Sequence, residues 1–234
     1  MRRLAFALLP LLLLASHARG DDAPPSDPEA EALMLRAHQA RSGWESGFPG
    51  FTATVAVTID GDRLQGTVTV RPDGEVAVDL PGGPAAAWVE RQLASIAMHR
   101  MAGARERYEA SFADSETEHP LGRLVHFHGG ETHALYRIKD DAITEVHREM
   151  EGQRFTISVT DVARTPEGKT LTRHFNVSYW DAESGDLVSN DDFQDDWTRL
   201  GDFDLPARRL QIHTGKDQRQ VSEFVLSDHA LLPD

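Results

Sequence analysis

From Arg107 to its C-terminal end the chain is written almost wholly in period two, and that pattern confines it to antiparallel β architecture. The alternation predicts strands over 107–113, 122–128, 133–138, 142–149, 154–162, 171–180, 186–194, 208–213 and 220–227. Between them stand turn residues such as Gly129-Gly130, Asp140-Asp141, Glu151-Gly152, Pro166-Glu167-Gly168 and Ser184-Gly185. The same period opens earlier, where Phe51, Ala53, Val55, Val57 and Ile59 point one way and Thr52, Thr54 and Thr58 the other. Asp60-Gly61-Asp62 and Pro72-Asp73-Gly74 turn this strand into Leu64, Val68 and Val70, then into Val76, Val78 and Leu80. Roughly eleven or twelve antiparallel strands in sequence do not stay flat, so they curl into a barrel or half-barrel.

Two stretches interrupt the strands. Asp27-Pro28 is an N-cap followed by proline at the first helical position, and Leu33, Ala37, Ala40 and Trp44 then recur as one stripe until Gly43 and Gly47. After Pro81 to Pro84 a second helix is expected over Ala85 to Met101, with Val89, Leu93 and Ile96 on one stripe and Trp88 beside it. Helices set among antiparallel strands cover a sheet face. The expected fold is therefore mainly β (α+β): a curved antiparallel sheet forming an unclosed β-barrel, with two helices covering or plugging the concave side.

The start of the chain reads as a targeting segment. Met1-Arg2-Arg3 is a basic n-region, Leu4 to Leu14 an apolar run, and Ala15-Ser16-His17-Ala18 a small-residue cleavage site. At about 1.5 Å per residue the run reaches only about half of a hydrocarbon core, and Pro10 interrupts it, so it is no permanent anchor. The division is a signal peptide at 1–18, a flexible leader at 19–27 and a single half-barrel domain at 28–234, secreted or periplasmic after cleavage. Losing Arg2 and Arg3 would take the formal charge from −14 to −16. Such acidity disfavours nucleic acid and anionic membrane surfaces. The chain has no cysteine, which excludes disulfides, thiolate metal sites, a cysteine nucleophile and a lipidated N-terminal cysteine.

The order of helix, meander and internal helix, together with Asp202-Phe203-Asp204-Leu205-Pro206-Ala207-Arg208-Arg209 and Glu223-Phe224-Val225-Leu226-Ser227-Asp228, resembles the lipoprotein-carrier (LolA/LolB/LppX-like) superfamily. Phe48-Pro49-Gly50-Phe51, Trp88-Val89-Glu90-Arg91-Gln92-Leu93, His99-Arg100, Tyr136-Arg137-Ile138 and Ile143-Thr144-Glu145-Val146 more closely resemble a family catalogued as a domain of unknown function. The carrier resemblance implies an unclosed barrel with a helical lid that binds acyl chains or another apolar ligand. The closer one implies no established activity. An acidic stretch in the C-terminal third departs from the carriers and leaves the cargo open.

Two sets of residues could carry function. Trp44, Trp88, Ile96, Met98 and Met101 lie on or beside the helices, where a carrier-type lid would meet an apolar ligand, or they pack the core. His126, His128, Glu131 and His133 surround Gly129-Gly130. A two-residue turn would put His126 opposite His133 and His128 opposite Glu131; a longer loop would put His128 opposite His133. Either gathers imidazoles that could ligate a divalent transition metal; otherwise Val125, Phe127, Ala134 and Tyr136 form a buried face and the histidines decorate the wet one.

Asp181, Glu183, Asp186, Asp191, Asp192, Asp195, Asp196, Asp202 and Asp204 lack the order of an EF-hand loop and read as solvated turns and charged edges. Gly168-Lys169-Thr170 is no phosphate loop, since Ala163 replaces the first glycine, and the chain has neither Gly-x-Ser-x-Gly nor His-Glu-x-x-His. Asn176-Val177-Ser178 is a glycosylation sequon. No residue is assigned to catalysis. The sequence thus suggests a non-enzymatic carrier for a lipid or other hydrophobic small molecule, working with a membrane-associated partner protein. Its alternative is a histidine-metal protein built on the His126/His128/His133 hairpin, with catalysis open.

Overall fold

The computed structural model describes residues 26–44, 47–101, 107–129, 134–150 and 153–233, so the signal-peptide reading lies outside the described residues. The elements are α1 (Pro28–Gln39), β1 (Phe51–Ile59), β2 (Asp62–Val70), β3 (Val76–Asp79), α2 (Gly83–Met101), β4 (Ala110–Phe112), β5 (Arg123–Phe127), β6 (Ala134–Lys139), β7 (Ala142–Met150), β8 (Gln153–Arg164), β9 (Thr170–Asp181), β10 (Leu187–Leu200), β11 (Phe203–Gly215) and β12 (Arg219–Leu231). No helix among them is long and apolar enough to cross a membrane.

The strands form one twelve-stranded antiparallel sheet in the order β3-β2-β1-β12-β11-β10-β9-β8-β7-β6-β5-β4. It does not close, since β3 and β4 are its edges. The order is not a single run from first strand to last: β1 pairs with β12, Val55 opposite Leu226 and Val57 opposite Phe224, so the N-terminal strands extend the end of the meander. The chain then passes from one edge to the other by way of α2. The tight turns follow their chemistry. Asp60 and Gly61 both have positive φ (49° and 101°), as do Asp140 and Asp141 (51° and 56°), the conformation of two-residue hairpins whose twist matches the strands.

Burial separates the two faces. Phe51, Ala53, Val55 and Val57 are buried, as their alternation requires, and pack with Val89, Leu93, Ile96 and Ala97 of α2, Phe224 and Leu226 of β12 and Leu205 of β11. A second cluster joins Ala30, Met34 and Ala37 of α1 to Val125, Ala134, Tyr136 and Ile138. Cross-strand registers carry the face of Tyr136 through Val146, Ile157 and Val177 to Asp191, and from there along β10 through Phe193 to Asp195 and Arg209. Both helices therefore lie on one face, the inner face, each over a different end of the sheet.

Three sequence expectations are corrected. The stripe of α1 is Ala30, Met34 and Ala37; the helix ends at Gln39 with Ala40 as its C-cap, because Thr170 takes the chain over in a parallel bridge to Arg41. Trp44 therefore lies beyond the helix. The acidic stretch is solvated only in part: Glu183, Asp186 and Asp202 are exposed, but Asp191 and Asp195 are buried on the inner face of β10, hydrogen-bonded across the sheet to His213 and Arg209, and Asp204 is buried at the start of β11. Leu205-Pro206 sits where the β10–β11 register slips and Trp197 faces Pro206, a position that tolerates the missing N–H.

Polar contacts key α2 to the sheet. Arg209 donates from Nε and Nη2 to the two carboxylate oxygens of Asp195, at 2.7 and 2.6 Å, and from Nη1 to Gln92 Oε1 at 3.0 Å. Trp88 Nε1 donates to Gln211 Oε1 at 2.7 Å. Both partners of the Arg209–Asp195 pair are nearly inaccessible to solvent, at 7% and 4% side-chain exposure, so removing one strands a buried charge. Arg209→Met should cost about 3–5 kcal/mol in urea unfolding, and Asp195→Leu in the same chain should restore most of it. A single-variant loss near zero would show that the pair holds nothing. Elsewhere, a Cβ on Gly66 would lie 2.0 Å from the Asp79 carbonyl oxygen where β2 and β3 cross closely. Gly66→Ala should therefore lower stability by about 1–3 kcal/mol in the same assay.

Candidate functional site

Neither core cluster reaches the middle of the inner face. There, β8, β9 and β10 present Phe155, Ile157, Val159, Phe175, Val177, Tyr179 and Phe193 side by side, and none belongs to the packing under either helix. Phe175 and Phe193 stack with centroids 4.7 Å apart; Phe155 and Tyr179 lie 6.1 Å apart. Strand alternation alone makes this floor, because each second residue of β8 and β9 is apolar. It is bounded by α1 on the β4–β7 side and by α2 on the β1–β3 side.

Beside the starts of β9 and β11 the C-terminal ends of the two helices meet. Trp44 N donates to the Arg100 carbonyl at 2.7 Å, and Arg41 Nη2 to the His99 carbonyl at 2.9 Å, the kind of cationic cap that a helix C-terminus favours. Buried Arg100 donates from Nη2 to Ser42 Oγ at 3.0 Å and to the Asp204 carbonyl at 3.1 Å. Ser42 Oγ in turn donates a hydrogen bond to Asp204 Oδ2 at 2.8 Å, so the hydroxyl bridges the guanidinium and the carboxylate. Burial is the main cause that lowers the Arg100 pKa to about 10, opposed by Asp204 and aided by Arg41. The guanidinium also lies over Trp197 at 4.9 Å.

His99 stands at the centre of a cationic group. Its pKa falls to about 4, first through desolvation and then through Arg41, Arg148 and Arg209, so the ring is neutral at pH 7. Its side chain is exposed to solvent at the C-terminal end of α2. Arg148 lies on the inner face directly opposite Phe155 and donates from Nη2 to the Tyr136 hydroxyl at 2.6 Å. Desolvation also lowers the pKa of Arg41, which lies within electrostatic reach of Tyr108 and Tyr136.

The residues singled out in the sequence fall as follows. Trp44 is buried, stacked on Phe48 at 4.3 Å, and donates to the Asp204 carbonyl at 3.0 Å; Trp88 and Ile96 are buried under α2; Met101 packs against the same cluster; Met98 is 61% exposed. His126 and His128 share a face, with ring centroids 4.6 Å apart, and His128 Nε2 lies 3.0 Å from Ser111 Oγ. Glu131 and His133 lie outside the described residues. The β5–β6 register sets Phe127 against Ala134 and His126 against Leu135, which overturns the pairing of His126 with His133 and agrees with the longer loop. Val125, Ala134 and Tyr136 are buried, with Phe127 packed beside them, as the apolar alternation requires. No group of three or more potential metal ligands occurs among the described residues.

A hollow of about 600 Å³ lies against β5 to β9; strand alternation places Leu124, Leu135, His147, Thr156 and Trp180 of its lining on the opposite, outer face, and Arg148 and Phe155, which also line it, on the inner one. Glu145 lies beside two of its lining residues, Arg137 at 3.6 Å and His147 at 3.4 Å.

The chain was compared with known proteins. No curated protein matches it. Among solved structures it is similar to an outer membrane lipoprotein-sorting protein domain from Vibrio parahaemolyticus, with 12% identity, 87% of this chain and 93% of that one covered, and a TM-score of 0.33. It is also similar to MucB in complex with MucA(peri), with 13% identity, 87% and 94% coverage and a TM-score of 0.21, and to the Pseudomonas aeruginosa MucA/MucB complex, with 12% identity, 85% and 93% coverage and a TM-score of 0.20. At these values no ligand passes from those proteins to this one. The family model described as "Protein of unknown function (DUF3386)" matches residues 26–232, nearly the whole described chain, and the protein belongs to that family.

Proposed function

We propose that the protein is an exported, non-enzymatic carrier that holds a single apolar chain on the inner face of its sheet, across β8, β9 and β10. The observation that carries this reading is the floor itself: seven apolar or aromatic side chains, from Phe155 to Phe193, that belong to neither core cluster, with Val177 and Phe193 buried and the other five half-buried. A floor of this kind with a few polar groups at its rim is the usual composition of a small-molecule site. The basic n-region and short apolar run at the start of the chain support export.

The magnitudes suit reversible carriage. Each methylene taken from water contributes about 0.8 kcal/mol, so ten methylenes fully buried would contribute about 8 kcal/mol. Association costs about 4–15 kcal/mol, which leaves a chain alone weakly held. A carrier that must release its cargo benefits from such a balance. Its acidity would keep it from lingering on anionic membranes, and delivery would then pass through a membrane-associated partner protein.

The delipidated protein should bind a fluorescent dodecyl-chain probe saturably, and Phe175→Glu should weaken that binding by about tenfold or more by placing a charge on the floor. Absence of saturable binding, or equal binding by the variant, would overturn the reading.

A further inference from the structure

The two buried arginines, Arg209 and Arg100, are matched to carboxylates, whereas two half-buried ones, Arg41 and Arg148, are not. Arg209 has Asp195, and Arg100 reaches Asp204 through Ser42. Arg41 and Arg148 have no carboxylate within ion-pair distance among the described residues. Each spends one Nη2 on a neutral acceptor, the His99 carbonyl and the Tyr136 hydroxyl, and Arg148 Nε is buried with no partner among the described residues. A buried guanidinium donor left unpaired is costly, and a chain with a formal charge of −14 does not lack carboxylates to pair it. The unspent donors thus mark a place for an acceptor that arrives from outside.

We propose that the inner face takes a long-chain carboxylate, whose head group is held by Arg41 and Arg148 beside Tyr136 and whose chain runs from Phe155 along Tyr179 and Val177. This rests on the reading of the inner face as an apolar-chain site, and names the cargo. Charge complementarity selects an anionic head, because Arg148 stands opposite Phe155 with no carboxylate partner among the described residues and Arg41 lies within electrostatic reach of the Tyr136 that Arg148 holds. Two guanidinium groups, each with one arm already engaged, match the two oxygens of a carboxylate better than the three of a phosphate monoester. The neutral His99 adds no competing charge and leaves the guanidinium groups as the cations that face the head.

The test is calorimetric titration of the purified, delipidated protein at about pH 8, where the acid is ionised, with dodecanoic acid, dodecanol and dodecyl phosphate. Dodecanoate should bind about tenfold or more tightly than dodecanol, and Arg148→Gln and Arg41→Gln should each erase most of that advantage. Dodecanol binding should fall by no more than about twofold in both variants, which also shows that they are folded, and Arg148→Lys should keep part of the preference. Equal binding of acid and alcohol, or Gln variants that keep the advantage, would overturn the carboxylate assignment while leaving the apolar-chain reading intact. Tighter binding of dodecyl phosphate than of dodecanoate would overturn it in favour of a phosphate head. Failure of both acid and alcohol to bind would instead overturn the apolar-chain reading on which the proposal stands.

Discussion

The arrangement of the inner face depends on one buried relay, Arg100 to Ser42 to Asp204. It joins three parts of the chain that local sequence cannot join: the end of α2, the segment after α1 and the start of β11. Its charges are desolvated, so each is tolerable only while the others are in place. Through it the C-terminal ends of both helices are fixed beside the starts of β9 and β11, and Arg41 is fixed with them. The same hub explains why the helices cover the ends of the sheet and not its centre. Trp44 and Arg100 tether them where they meet, while their apolar stripes pull α1 toward β4–β7 and α2 toward β1–β3.

Closure of the sheet would have abolished its edges, and the chain takes another route. Pairing of β1 with β12 leaves β3 and β4 as the two edges and sends α2 between them. A twelve-stranded sheet with strong twist then offers a long inner surface, of which two short helices can bury only part. The central strands keep apolar side chains facing inward because their neighbours in register do so, yet these belong to neither helix's core cluster, and Arg209 lies over Phe175 and Phe193 at 5.7 and 5.2 Å.

Much of this was legible in the residues. Alternation from Phe51 to Val57 revealed a half-buried strand because burial of one face imposes period two, and the Asp-Gly and Asp-Asp turns marked the hairpins because they tolerate positive φ. The inward apolar residues of β8 and β9 were visible for the same reason. What alternation does not encode is which stretch of a face the helices will cover, since that depends on long-range packing. Asp191 and Asp195 were misread as solvated because a carboxylate signals water until its cross-strand partner is known, and His213 and Arg209 are supplied by a register, not by spacing. Arg41 and Arg148 gave no signal at all. Each is an ordinary arginine in sequence, and only the fold shows that neither has a carboxylate beside it among the described residues.

The central claim is that an apolar chain lies on the inner face over β8, β9 and β10. Photo-crosslinking with a diazirine-bearing fatty acid, followed by peptide mass spectrometry, tests it most directly because it reports position as well as binding. The account predicts adducts on inner-face residues between Phe155 and Phe193. Adducts confined to the outer hollow around Leu124, Leu135 and Trp180, or spread over the surface without saturation, would contradict it.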